Sequence, residues 1–269
     1  MTYYANRWER IVNWLTVGLL WLGAGVMLLP LVAVFLVSFS STDPNANFLS
    51  NYIKAWSQGN FLLSFFNSAV VAIAVTFLQA FTSLLAGYAL TRLEFRGKGA
   101  VLIIILATLI IPIQLLVVPV FLILKFAGLV NTYGALILPS AANAYGIFLL
   151  RQYIQTIPLE LEEAAMLDGA NRWQVLRYVI FPLTKPALVT LFLFTFIGEW
   201  NDLFKPLIFT TKPELTTVQL TLASFQELYT ADWSLLMSAV VIASLPVIIL
   251  FFFGQKQLLR GIATTGIKS

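Results

Sequence analysis

Apolar residues run through this chain in long blocks rather than alternating with polar ones. No Asp, Glu, Lys or Arg occurs in residues 11–42, 55–91, 99–124, 126–150 or 233–255. Each of these stretches is longer than the ~20 residues a helix needs to cross ~30 Å of hydrocarbon. A sixth block, from Pro186 to about Phe209, is apolar except for Glu199, Asp202 and Lys205 near its far end. The pattern predicts six spans, at about 13–38, 62–90, 100–124, 133–150, 187–208 and 234–254. Strands of a membrane barrel would instead show ~10-residue segments of alternating polarity. The expected fold is therefore an all-α integral membrane protein, a single transmembrane domain covering 1–269.

The basic residues orient these spans, because Lys and Arg beside a span are retained in the cytoplasm. With the N-terminus placed inside, 12 of the 16 Lys and Arg fall on the cytoplasmic side and only Lys54, Lys125, Lys205 and Lys212 outside. Both termini and the polar segment at 151–185 are then cytoplasmic. This asymmetry accounts for the net charge of +4 without a nucleic-acid partner. Arg7, Glu9 and Arg10 precede an apolar run too long for a signal peptide, so the first span is expected to stay in the mature protein.

Composition removes whole classes of chemistry. The chain has no Cys and no His, which excludes disulfides, thiolate or imidazole catalysis and His/Cys metal sites. No Gly-x-x-x-x-Gly-Lys-Ser/Thr loop is present, and Gly23-Ala24-Gly25 is followed by Leu28 where a dinucleotide fingerprint needs Gly. If ATP drives this protein, another subunit hydrolyses it.

The polar segment between the fourth and fifth blocks reads as two short helices around a glycine. Pro158 suits a first helical position, Glu160, Glu162 and Glu163 lie near the positive end of the helix dipole, and Gly169 suits a left-handed cap. Asn171 can cap a second helix, whose Trp173, Leu176 and Ile180 recur near helical spacing and which ends at Pro182. Ala164 and Ala165 leave a small-sided surface open to close approach. An amphipathic loop packed on its own bundle would also fit.

Glu163, Ala164, Ala165, Gly169 and Pro182 stand in the register of the EAA loop of ABC-transporter permeases, with Val179 and Phe181 where Ile and Leu are usual. The segment resembles that loop, and the resemblance extends over nearly the whole chain. Asn51-Tyr52, Asn67-Ser68, Ala86-Gly87-Tyr88-Ala89-Leu90, Phe95-Arg96-Gly97, Ile111-Pro112, Gly128 to Thr132 and Ile157-Pro158 resemble the carbohydrate-uptake branch, specifically the second permease of the maltose type. So do Glu199-Trp200-Asn201-Asp202 with Pro206, Gln255-Lys256-Gln257, Gly261 and Gly266-Ile267-Lys268. The resemblance implies a permease subunit of an importer in a prokaryotic inner membrane. Its expected partners are a homologous permease, two nucleotide-binding subunits carrying ATP and Mg, and an extracytoplasmic binding protein that delivers a sugar or sugar-like solute. No cofactor or metal is expected on this chain. By the same resemblance Glu162, Glu163, Ala164, Ala165, Asp168, Gly169 and Pro182 are expected to couple it to the ATPase.

Polar groups inside spans are costly and usually face protein or water. Glu199 and Asp202 share one face, and Glu199 lies ~20 Å beyond Pro186 at 1.5 Å per residue. Either they line the solute path with Trp200 and Asn201, or Asp202 pairs with Lys205 and Glu199 bonds a neighbouring helix. Asn67, Gln114, Asn143 and Tyr145 are further path candidates that interhelical hydrogen bonding would also explain. Pro30, Pro112, Pro119, Pro139, Pro206 and Pro246 can kink their helices. Leu215, Val218, Leu222 and Phe225 recur at helical spacing and suggest an outer helix facing a partner. An ion-coupled carrier and an intramembrane enzyme are the competing functions. The first lacks mid-membrane titratable groups other than Glu199 and Asp202, and the second lacks His and Cys.

Overall fold

The computed structural model describes residues 7–40, 49–229 and 232–266; Ile267 and Lys268, named above, lie outside the described residues. Among these every regular element is helical. Three helices are long and apolar enough to cross a membrane: Ile11–Ser38 within α1 (Arg7–Ser38), α3 (Phe61–Arg92) and Trp233–Gln255 within α14 (Trp233–Gly266). The count reaches six when each of three bent helix pairs is taken as one span.

The bends correct the continuous spans expected from hydropathy. The stretch 100–124 is broken by 94° between α4 (Lys98–Thr108) and the 113–126 segment, which enters through a 3-10 turn before α5 (Val117–Phe126). Pro112 is extended there (φ −62°, ψ 133°); it lacks an N–H and disfavours helical backbone in the residue before it. The stretch 133–150 bends by 42° between Tyr133–Ser140, which includes α6 (Tyr133–Ile137), and α7 (Ala144–Gln155). Asn143 is extended at that bend, and its side chain accepts the Tyr145 N–H at 2.7 Å as an N-cap. The stretch 187–208 is α11 (Lys185–Trp200) followed, after a three-residue break, by α12 (Phe204–Phe209).

The chain divides into two compact units. In the first, residues 1–59 and 222–244, the end of α1 is tied down by polar contacts. Ser38 Oγ bonds Tyr52 OH at 2.6 Å, Asn51 Nδ2 donates to Ser40 O at 2.8 Å, and Ser238 Oγ donates to Ser38 O at 3.0 Å. Tyr52 and Asn51 lie on α2 (Ser50–Gln58). Among the described residues, none in the most apolar stretch of α1 is buried.

In the second unit, residues 60–221 and 245–269, α3 is the axle against which α7 and α11 pack. Its crossing with α7 is close because glycines stand where side chains would collide. A Cβ at Gly146 would lie against Ser83 and 3.1 Å from both methyls of Leu191, and one at Gly87 would lie 3.0 Å from the Arg151 nitrogen. Small residues substitute for hydrophobic attraction inside a bilayer, where helices associate through contact and hydrogen bonds. Gln79 supplies the bonds: its amide donates to Ser140 O at 2.8 Å and accepts the Thr195 hydroxyl at 2.9 Å, joining α3 to the α6–α7 bend and to α11.

The helix expected over 215–225 is α13 (Val218–Leu228), entered by a 3-10 turn at Pro213–Leu215. Its apolar face is turned inward rather than offered to a partner, since Leu215, Val218 and Phe225 are buried. Hydrophobic periodicity identifies a buried face but not what covers it.

Gly146→Leu should overpack the α3–α7–α11 junction and cost ~1–3 kcal/mol or more, read as an earlier thermal unfolding of the purified protein. Gly198→Leu, at a position with open space around it, is the control and should leave the midpoint unchanged.

Candidate functional site

The 158–183 segment folds largely as its residues dictate. α8 (Glu160–Leu167) ends in a complete Schellman cap: Ala170 N–H bonds Ala165 O at 3.0 Å and Gly169 N–H bonds Met166 O at 3.0 Å. Gly169 holds φ +90° with nothing within 4 Å of a would-be Cβ, so the glycine answers a backbone requirement and not crowding. Asn171 and Gln174 then form a reciprocal capping box, at 2.9 and 2.8 Å, opening α9 (Arg172–Val175).

The second helix does not end at Pro182. It widens into a π-helical turn at Leu176–Ile180, continues as α10 (Phe181–Leu183) through Pro182 and bends 72° into α11. The buried Thr184 hydroxyl donates to Ile180 O at 2.9 Å and Phe181 O at 3.1 Å, adding side-chain bonds to carbonyls at the bend.

One face of this elbow is fixed to the bundle. Val175, Leu176 and Ile180 are buried in a cluster with Leu84, Leu150 and Ile154, and Ala165 and Ala170 pack against its edge. Beside the cluster lies a buried ion pair between Arg92 at the end of α3 and Glu162 of α8. The same guanidinium donates to Ile154 O at 3.1 Å and Ile157 O at 2.6 Å, carbonyls at and beyond the end of α7. One side chain thus holds three elements, with each bond charge-assisted.

Glu162 is therefore corrected from docking residue to anchor. Its carboxylate points into the protein and is 97% covered by the chain, at 3% side-chain exposure. Glu163, Ala164, Asp168 and Gly169 stay exposed, Ala165 is half-buried and Pro182 is exposed on the following helix. Leu167 is 89% exposed, with Leu159, Leu161 and Met166 also open. A short helix offering exposed leucines between acidic residues has the composition of an interaction face.

The embedded polar residues separate into two groups. Lys205 Nζ sits 2.5 Å from Glu199 Oε2, 3.2 Å from Asp202 Oδ2 and 2.7 Å from Ser140 Oγ. Asp202 Oδ1 also accepts the Phe204 and Lys205 N–H groups, at 2.9 and 3.2 Å, capping α12. The cavity beside this cluster is about 10 Å³, room for at most one water. Glu199 and Asp202 thus close on Lys205: Asp202 pairs with it one turn on, and Glu199 reaches from α11 to this group on the neighbouring helix α12. Trp200 is buried between Phe65 and Phe196. Asn67 is buried and saturated: it donates to Glu214 O at 2.8 Å and Thr216 O at 2.9 Å and accepts the Tyr133 hydroxyl at 2.6 Å.

Asn201, Gln114, Asn143 and Tyr145 are exposed. Asn201 accepts from Gln219 at 3.1 Å, and Tyr145 meets Phe194 edge-on at 6.2 Å. These four keep surface that a solute could reach. Arg92 and Ser140 are the neighbours that sequence reasoning missed: Arg92 counts there only as a topology charge, and Ser140 meets Lys205 from 65 residues away.

The family described as "Binding-protein-dependent transport system inner membrane component" matches residues 79–264. The chain is similar to a probable ABC transporter permease protein, YurM, of Bacillus subtilis, 36% identical over 89% of this chain and 83% of that one. It is also similar to the trehalose/maltose transport system permease protein MalG of Thermococcus litoralis, 33% identical over 90% and 92%. Among solved structures it superposes on a bacterial ABC transporter involved in alginate import with a TM-score of 0.81 at 26% identity, covering 95% of this chain and 99% of that one.

Arg92→Met strands a buried carboxylate and should destabilise the protein by about 3–5 kcal/mol. Glu162→Gln should cost less, and Arg92→Met with Glu162→Met together should recover most of the loss. Melting curves of the three purified variants check this; unaltered stability in Arg92→Met contradicts the buried pair.

Proposed function

Because the chain belongs to the family of binding-protein-dependent transport system inner membrane components, we propose that it is the permease subunit of an ATP-driven importer whose elbow at 158–183 docks on a soluble nucleotide-binding subunit. With a homologous permease it forms the path for a sugar or oligosaccharide handed over by an extracytoplasmic binding protein. Relatives named for trehalose/maltose and alginate transport support the carbohydrate class. ATP and Mg are assigned to two separate subunits, a reading supported by the lack of a phosphate-loop motif in this sequence.

The proposed topology has six spans in one transmembrane domain, both termini and the elbow in the cytoplasm, in a prokaryotic inner membrane. The Lys and Arg asymmetry supports it. The single observation that carries the coupling role is the elbow's two-sided build. Its inner face is locked to α3 and α7 by Arg92 and an apolar cluster, while its outer face exposes Leu167, Glu163 and Ala164.

A displacement of α8 by the ATPase would pass through Arg92 into α3. That helix is 32 residues, ~48 Å long. Near its other end Asn67, Ser64 and Ser68 bond the 214–221 segment. Force applied at the elbow thereby reaches the far side of the membrane through one rigid element. An ion-coupled carrier would need a free embedded carboxylate, and both Glu199 and Asp202 already hold Lys205.

Gly169 tests the coupling. Replacement with Asn, which tolerates left-handed backbone, should retain most binding-protein-stimulated ATPase activity, whereas Gly169→Val should lose it while membrane insertion persists. The left-handed conformation costs roughly 1–2 kcal/mol for a residue with a Cβ. Full stimulation and transport in Gly169→Val would overturn the docking assignment.

A further inference from the structure

A groove of about 580 Å³ lies between α3, the elbow and α11. Its two ends differ in chemistry. At one, Phe77, Phe81 and Phe192 present aromatic walls, with Phe77 and Phe192 edge-to-face at 6.3 Å. At the other stand Trp173, Arg177 and Lys185, all exposed. Neither cation forms an ion pair among the described residues; Arg177 has only the Tyr178 ring, 5.7 Å from its guanidinium carbon.

We propose that this groove binds an anionic phospholipid of the cytoplasmic leaflet, its phosphate between Arg177 and Lys185 and its acyl chain along Phe81 toward Phe77 and Phe192. The inference rests on the cytoplasmic placement of the elbow proposed above.

The geometry matches a lipid's own division. Lys185 begins α11 and Phe192 lies seven residues deeper, ~10 Å at 1.5 Å per residue. That is a charged headgroup level followed by hydrocarbon. Trp173 sits where interfacial tryptophans gather, at the boundary between the two. Charge complementarity selects lipid over an apolar helix of a partner permease. Such a helix would cover two cations without offering them an acceptor, whereas a phosphate gives both charge-assisted bonds. Basic pockets on the cytoplasmic side of helix bundles bind acidic headgroups, at ~1 kcal/mol per cation near the surface. The groove is also lined by Leu176, Arg177 and Phe181 of the elbow, so the lipid would brace the π-helical turn.

The test uses the whole importer complex, exchanged into equal amounts of dioleoyl phosphatidylglycerol and dioleoyl phosphatidylcholine and examined by native mass spectrometry. The unmodified complex should retain phosphatidylglycerol in preference to phosphatidylcholine. Arg177→Gln with Lys185→Gln should reduce that preference about tenfold or more. Ala80→Phe, which fills the groove from its wall, should remove the retained lipid, while Lys125→Gln at a distant exposed position should change nothing. Equal retention of both lipids by the unmodified complex, or an unchanged preference in the double variant, overturns the proposal. So does a Phe81→Cys variant that crosslinks to the second permease with no lipid retained. Binding-protein-stimulated ATPase activity measured on the same preparation reports separately on the importer assignment, because its loss leaves the lipid comparison readable.

Discussion

The contact between Arg92 and Glu162 is the constraint on which the rest depends. A carboxylate buried at the end of a helical bundle is tolerated only when its charge is matched and its lone pairs are occupied. Arg92 provides that match, and its Nη2 donates further to Ile154 O and Ile157 O. The result is a junction of α3, the end of α7 and the start of α8 that cannot slide without leaving a charge unpaired. An apolar contact could shift by a fraction of a side chain at little cost; this one is discrete. A segment that transmits motion needs that property, and the exposed outer face of α8 supplies the place where motion would enter.

The same economy recurs along α3. Gln79 joins the middle of the helix to Ser140 and Thr195, Asn67 joins its far part to Glu214 and Thr216, and glycines at 87 and 146 bring α7 close. Inside a bilayer the lipid tails are as apolar as leucine, so geometry and hydrogen bonds define how helices associate. Lys205 extends this to charge: enclosed by Glu199, Asp202 and Ser140, it allows three embedded ionisable groups to coexist in a space that admits at most one water. The cluster bridges the break between α11 and α12, while Asn201, Gln114, Asn143 and Tyr145 stay exposed.

Local chemistry was legible in the sequence and long-range pairing was not. The helix expected at 62–90 is Phe61–Arg92, because a continuous apolar run needs no partner to be recognised. Gly169 and Asn171 adopt the cap and capping box that their own residue types favour within three or four positions. Glu162 was misplaced because its partner lies 70 residues away, and nothing near Arg92 distinguishes an anchor from a topology charge. The 94° break at Pro112 was underestimated for a related reason. Proline marks where a helix can yield, but neighbouring packing determines by how much. The face at Leu215 and Val218 was assigned to a partner when the chain itself covers it.

The central claim, that α8 presents its outer face to an ATPase while its inner face is held by Arg92, is tested most directly by crosslinking. The chain has no native cysteine, so Ala164→Cys offers a single attachment point for a photoactivatable maleimide in the assembled importer. The expected product joins this chain to the nucleotide-binding subunit, with a yield that changes when ATP is bound. Adducts confined to lipid or to the second permease, with Lys212→Cys on the opposite side reaching the ATPase instead, would contradict both the docking face and the orientation of the bundle.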